Sequence, residues 1–315
     1  MRVFVAGASG ALGAHLLPML VADGHEVVAM TRTAAKEDRL RSAGARPVVA
    51  DALDPDAVAR AVGEAEPEVI VHQLTALSGP LDLRHIDRVF AVTNRLRTEA
   101  TDHLLAAGRA VGASRFVAQS YAGWPYARTG GPVKTEADPL DPDPPAALRE
   151  TLAAIRHLEH AVTAADWGEG LVLRYGAFYG PGTGLSADPD AQMAAPVRKR
   201  QFPLVGDGGG VWSFVHIDDA AAATAAAVVQ GAPGVYNVVD DEPAPVRDWL
   251  PELAVALGAK PPRRVPRWLG RIVAGEAATV MMTDVRGASN ARAKRELGWE
   301  LRYPSWRLGF TKGLG

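Results

Sequence analysis

Three glycines, each three residues from the next, carry the first chemical signal. Gly7-Ala8-Ser9-Gly10-Ala11-Leu12-Gly13 follows a short apolar run, Val3–Ala6, and opens a helical pattern. In such a loop Gly7 permits a tight turn, Gly10 lets the backbone approach a pyrophosphate, and Gly13 lets the helix pack closely on the strand. The helix N-terminus adds unpaired N–H groups and a partial positive charge. The second apolar run ends in Met30-Thr31-Arg32-Thr33, with no acid until Glu37. A ribose 2′-hydroxyl calls for a carboxylate at that place, and a 2′-phosphate for a cation. Arg32, with Lys36 and Arg39 nearby, therefore favours NADP(H) over NAD(H). Asp51, followed by Ala52, is placed either to meet an adenine edge or to serve as a turn acid before Pro55. His157 and His160 share a helix face but have no third ligand in sight, so a surface or capping role is favoured and no metal is expected.

The elements that must hold these residues alternate. Strands are expected at Val3–Ala6, Glu26–Met30, Pro47–Ala50, Val69–His72 and Arg115–Gln119. Helices are expected at Ala11–Ala22, Lys36–Ser42, Pro55–Val62 and, longest, Leu83–Val111. Crossovers of this length imply an α/β fold, a right-handed, doubly wound parallel sheet with helices on both faces. The near-continuous apolar strands fit burial on both sides. A helix at Ala146–Ala165 and a strand at Leu171–Arg174 follow. Glycine- and proline-rich stretches at 176–210 and 243–266 then change the texture, and Phe214–Ala220 and Val235–Val239 read as a return to the main sheet. The expected organisation is a dinucleotide-binding domain of residues 1–175 plus 211–242, with a smaller substrate-binding part from 176–210 plus 243–315.

Composition narrows the function further. The chain has 315 residues, 34 Lys+Arg against 36 Asp+Glu, and no cysteine. Disulfides, thiolate catalysis and thiolate-bound zinc are excluded. A near-neutral balance argues against a nucleic-acid partner, which needs clustered excess cations. The longest apolar stretch, Ala220–Val229, is half a membrane span, so no membrane partner is expected. Met1-Arg2 leads directly into the first strand, which leaves no room for a targeting segment and points to a cytoplasmic, bacterial protein; the arginine excess fits a GC-rich genome. Only six of the 34 cations are lysines.

Several motifs in order resemble the extended short-chain dehydrogenase/reductase family, also called the NAD-dependent epimerase/dehydratase family. They are Gly7–Gly13, Val69–Ala76, Asn94, Phe116–Ser120, Leu173–Gly182, Phe214–Asp219 and Tyr236–Val238. The resemblance implies a Rossmann domain, a nicotinamide cofactor and a C-terminal part that chooses the substrate. It places Ser120 as an active-site hydroxyl that polarises the substrate oxygen. It places Leu74, Thr75 and Ala76 along the nicotinamide ribose, and Tyr175 and Phe178 near the carboxamide. Asp218 and Asp219 look catalytic in isolation but start a helix, where the macrodipole stabilises carboxylates, and are read as structural. Trp124, Tyr179 and Arg200 are the substrate-side candidates. A homodimer pairing the helices at Leu83–Val111 and Ala147–Ala165 is a further expectation of the resemblance.

The sequence departs from that family at the proton donor. The family pairs a tyrosine with a lysine four residues on, neighbours on one helix face, so that the ammonium lowers the phenol pKa. Here the corresponding positions read Thr151 and Ile155, and none of the six tyrosines has lysine four residues on. Three readings follow. The protein is an NADP(H)-dependent oxidoreductase acting on a small-molecule carbonyl or alcohol with another donor, such as Tyr121, Tyr126, Tyr179, His157 or a water. It instead performs non-redox chemistry, or redox chemistry in which the substrate brings its own proton source, or acts as a sugar-nucleotide epimerase/dehydratase in which oxidation at one carbon is transient. Or it is a non-catalytic NADP(H)-binding regulator.

Overall fold

The computed structural model describes residues 1–77 and 86–315. In chain order its principal strands are β1 (Arg2–Ala6), β2 (Glu26–Thr31), β3 (Arg46–Val49), β4 (Val69–His72), β5 (Arg115–Tyr121), β6 (Glu169–Tyr175), β7 (Ala177–Tyr179), β8 (Phe214–His216) and β9 (Gly234–Val238). The helices that matter for the site are α1 (Ala11–Ala22), α2 (Glu37–Ser42), α3 (Pro55–Ala65), α4 (Ile86–Val111), α5 (Arg149–Thr163) and α6 (Ile217–Val229). Leu83–His85, the expected start of α4, lie outside the described residues.

Seven of these strands form one parallel sheet in the order β9-β6-β5-β4-β1-β2-β3. The chain winds outward in both directions from β1, so the crossovers leave β1 and β4 on opposite faces. Ligands in such sheets bind where those two connections part, beyond the carboxyl ends of the strands. One apolar layer packs α1 and α6 on the sheet, and another packs α3, α4 and α5 on its opposite face. Valines and isoleucines of β1, β2 and β4 feed both layers, which accounts for their unbroken apolar sequence. A third apolar cluster joins β7 and β8 to Leu204, Trp249, Trp306 and Phe310.

One sequence expectation needs correcting. Val235–Val238 does join the main sheet, as β9 beside β6. Phe214–His216 does not; it pairs with β7 in a separate two-stranded parallel sheet, and Ile217 begins α6. The reason is topological: β6 already has β5 on one side and β9 on the other, so it offers no free edge. Phe214–His216 pairs instead with the chain just beyond Gly176. Strand β5 also runs further than expected, through Ser120 to Tyr121.

Candidate active site

A cleft of about 820 Å³ opens beyond the carboxyl ends of the strands. Its first part is the phosphate loop. Gly7 has φ +90°, and a Cβ there would lie 2.5 Å from the Gln73 carbonyl oxygen. A Cβ on Gly13 would lie 2.1 Å from the Ala8 carbonyl oxygen, so both positions require glycine. Gly10 is exposed at the start of α1, whose first turn carries no acidic side chain. Ser9, Ala11 and Leu12 line the same part.

Arg32, Thr33 and Lys36 continue the wall, and the Lys36 Nζ lies 3.4 Å from the Ser9 Oγ. Glu37, the first acid after β2, is held by Arg41. Asp51, Ala52 and Leu53 line the cleft opposite, and Asp51 Oδ1 accepts the Leu53 N–H at 3.0 Å. Beyond β4 come Leu74, Thr75 and Ala76. Their turn is set by His72, whose Nδ1 accepts the Leu74 N–H at 3.2 Å while the other ring nitrogen faces the Leu96 carbonyl and Thr101 Oγ1. Burial pushes the His72 pKa down to about 4, so the ring is neutral. The residues present fit a dinucleotide: a glycine cradle at a helix N-terminus, cations at the end of β2, and an open strip of backbone after β4.

The second part of the cleft is apolar and aromatic. Phe90, Tyr121, Trp124, Ile155, Trp212 and Met281 line it together with Ser120 and Thr151. Helices α4 and α5 run side by side in the same direction, tied by Asn94 Nδ2 to Thr151 Oγ1 at 3.2 Å and by His157 Nε2 to Asp102 Oδ1 at 2.8 Å. One turn beyond Thr151 comes Ile155, 1% exposed and packed in an apolar cluster with Leu148, Leu152 and Trp124.

Ser120 is buried, and its Oγ donates to Glu159 Oε1 at 2.7 Å. Glu159 also receives Arg174, Nε on Oε1 at 2.7 Å and Nη2 on Oε2 at 2.6 Å. Arg174 Nη1 then donates to the Tyr126 hydroxyl at 2.9 Å, and that hydroxyl donates to Asn237 Oδ1 at 2.6 Å. A polar chain thus runs from the cleft wall into the interior. Burial works against the Arg174 charge, but the Glu159 pair outweighs it and raises the pKa. Burial pushes the Tyr121 hydroxyl up to about 12, with the Arg97 charge pulling the other way. Its phenol remains protonated at neutral pH.

The remaining expected residues divide between the cleft and the interior or surface. Tyr175 and Phe178 line the cleft, with the Tyr175 hydroxyl between Thr224 Oγ1 (2.7 Å) and Gln73 Nε2 (3.2 Å). Tyr179 does not line it; it is buried among Phe214, His216 and Phe310. Arg200 does not line it either, and its Nε donates to the Pro261 carbonyl at 3.0 Å. Asp219 accepts the backbone N–H groups of Arg302 and Tyr303 at 2.8 and 2.9 Å, a structural clamp. No group of three or more metal-ligating side chains occurs among the described residues. No helix among them is long and apolar enough to cross a membrane.

Sequence reasoning missed Gln73, Glu159, Arg174 and Arg97. Arg97 left a readable trace: it sits on the buried stripe of α4 with Thr93, Leu96, Ala100, Thr101 and Leu104. A cation on an apolar stripe asks for a partner.

Residues 3–238 match the NAD dependent epimerase/dehydratase family. The chain belongs to that family, and it is an NAD(P)-dependent oxidoreductase of the extended short-chain dehydrogenase/reductase type. A 3-diazoavenalumate denitrifying reductase of a Streptomyces species is 48% identical over 313 residues, covering 99% of this chain and all of that protein. A 2-alkyl-3-oxoalkanoate reductase of Stenotrophomonas maltophilia is 29% identical, covering 82% of this chain and 76% of that one. Among solved structures, the UDP-glucose 4-epimerase of Thermus thermophilus in complex with NAD aligns with a TM-score of 0.73 at 25% identity, covering 100% of this chain and 98% of that one. The Thermotoga maritima UDP-glucose 4-epimerase shares the fold, with a TM-score of 0.75 at 22% identity, covering 100% and 97%.

Proposed function

We propose that this protein is an NADPH-dependent reductase that replaces the diazo group of an aromatic substrate by hydrogen. The observation that carries the reading is Ile155, an apolar side chain where the resemblance puts the ammonium of the proton-donating pair. A reductase without that pair suits a reaction that needs no proton from the protein. The Leu74–Ala76 strip would hold a reduced nicotinamide, which would supply one hydride; for an aryl diazonium the balance is hydride in, a C–H bond formed and dinitrogen lost, with no proton required. The 48% identical relative is named for such a diazo substrate.

The side chains of the second part support the rest. Phe90, Trp124 and Trp212 offer flat apolar faces to an aromatic ring. Tight packing around Ile155 and Leu152 keeps water from a reactive diazo carbon. Ser120 donates its hydrogen bond to Glu159, so polarising a substrate oxygen would require that hydroxyl to turn toward the cleft. Arg32 and Lys36, with Glu37 engaged by Arg41, favour a 2′-phosphate and hence NADPH.

A second reading, reduction of a ketone, draws on Tyr121: its protonated phenol lines the cleft and could donate to a developing alkoxide. Two relatives are named as an oxoalkanoate reductase and a ketoreductase. The test is to supply an ortho-hydroxybenzenediazonium salt and, separately, a panel of ketones, with NADPH or NADH, following cofactor absorbance and dinitrogen release. One NADPH consumed per diazo group lost supports the first reading. Turnover of ketones alone replaces it with the second, and no turnover of either leaves a cofactor-binding protein. A homodimer through α4 and α5 and a cytoplasmic location belong to the same reading; light scattering of the purified protein tests the former.

A further inference from the structure

Arg97 projects from α4 into the wall of the cleft, 6% exposed, and among the described residues its Nη1 has no hydrogen-bond partner. Burial lowers its pKa, but only to about 10, so the guanidinium stays charged at neutral pH. Among the described residues the carboxylate whose charge it feels is Glu159, and that group is already committed. Oε1 takes Ser120 and Arg174, and Oε2 takes Arg174 again. Two guanidinium groups thus face one carboxylate, leaving one positive charge without a counter-ion among the described residues. A buried charge in that condition opposes folding unless an anion arrives. The Phe90 ring lies 5.9 Å from the Arg97 guanidinium carbon, so the charge sits beside an aromatic wall. Tyr121, protonated and lining the same wall, can add an O–H donor.

We propose that Arg97 receives an ionised oxygen of the substrate, and that this reductase therefore takes aromatic acids, anchored by a carboxylate or an ionised phenol. The inference deepens the reductase reading and rests on it for the identity of the site. Arg97 sits one turn beyond Asn94 on α4, as Ile155 sits one turn beyond Thr151 on α5. The cation of the cleft thus comes from the neighbouring helix and binds substrate instead of tuning a phenol on its own helix.

The experiment is calorimetric titration of the NADP⁺-loaded protein with three probes: 4-hydroxycinnamate, its methyl ester, and 4-methoxycinnamate. Arg97→Met should weaken 4-hydroxycinnamate about tenfold or more, the loss expected for one charge-assisted contact. Arg97→Lys should recover part of that affinity. If the carboxylate is the anchor, the methoxy compound shows the same loss and the ester binds wild type and variant alike; if the phenol is, these two exchange behaviour. Equal binding of all three probes to wild type and Arg97→Met overturns the proposal.

Folding gives an independent readout. Removing a charge that has no counter-ion of its own among the described residues should leave the Tm of the ligand-free protein unchanged or raised, whereas a fall of several degrees marks Arg97 as a structural prop and overturns the proposal. The two readings fail separately. Binding of 4-hydroxycinnamate that depends on Arg97, with no NADPH consumed on any diazo or keto substrate, sinks the reductase reading and leaves the anchor. Undiminished diazo reduction by Arg97→Met, in both kcat and KM, sinks the anchor and leaves the reductase.

Discussion

Ser120 and Glu159 are joined by a hydrogen bond of 2.7 Å, with the serine at the end of β5 and the glutamate a full helix away on α5. The bond ties the cleft wall to a buried ion pair. Removing the carboxylate should therefore matter far more than removing the hydroxyl. Glu159→Gln leaves Arg174 charged and poorly paired in the interior and is expected to cost about 3–5 kcal/mol. Ser120→Ala removes one bond to a group that keeps both Arg174 contacts and should cost about 1.5–3 kcal/mol. Urea denaturation of the two variants checks the order. A Ser120→Ala protein of near wild-type stability but no turnover would show that the hydroxyl acts on substrate.

Ile155→Lys restores the residue type that the resemblance calls for, but puts an ammonium among Leu148, Leu152 and Trp124. Roughly 3–5 kcal/mol of stability should be lost, and no ketone activity should appear. Thermal melts and an NADPH assay on the double variant Thr151→Tyr/Ile155→Lys give the measurement. A gain of ketone reduction would mean that the site differs from its family by two substitutions only.

Cofactor choice is testable at Arg32. Arg32→Ala should raise the KM for NADPH about 10–100-fold and leave NADH almost unaffected, since only the former has a 2′-phosphate to lose. Equal changes for both cofactors would assign Arg32 to adenine stacking.

His72 sets a pH dependence. Its folded pKa, lowered by burial to about 4, lies below the ~6.5 of an exposed imidazole. Between those values the unfolded chain binds the extra proton, so stability is full above about pH 6.5 and falls as the pH drops toward 4. The loss is about 3 kcal/mol at most. His72→Asn, whose amide oxygen can still accept the Leu74 N–H, should flatten that part of the profile in denaturation curves taken at pH 7 and pH 4.5.

What could be read beforehand was local. The phosphate loop is a run of seven residues whose constraints, the φ of Gly7 and the contact of Gly13 with Ala8, arise within or next to the run itself. Strands β1, β2 and β4 were legible because burial on both faces leaves an unbroken apolar signature. The place of Arg32 on the cleft wall was legible because it follows its strand directly. The partnership of Ser120, Glu159 and Arg174 was not, because it joins β5, α5 and β6 through a sheet whose order only three-dimensional pairing reveals. Phe214–His216 carries the same pattern as a main-sheet strand and differs only in finding β6 already paired on both edges. Arg97 left a signal of another kind, a charge where the helix period calls for an apolar residue.

The run from Glu169 to Tyr179 crosses from the seven-stranded sheet to the two-stranded one with only Gly176 between them, and a Cβ on Gly176 would lie 2.7 Å from the Ser213 carbonyl oxygen. The same short run therefore belongs to both sheets, and any side chain at 176 would push against the Ser213–Phe214 backbone that leads into β8. A substitution there would displace Tyr175 and Phe178, its neighbours on the cleft wall, as a unit.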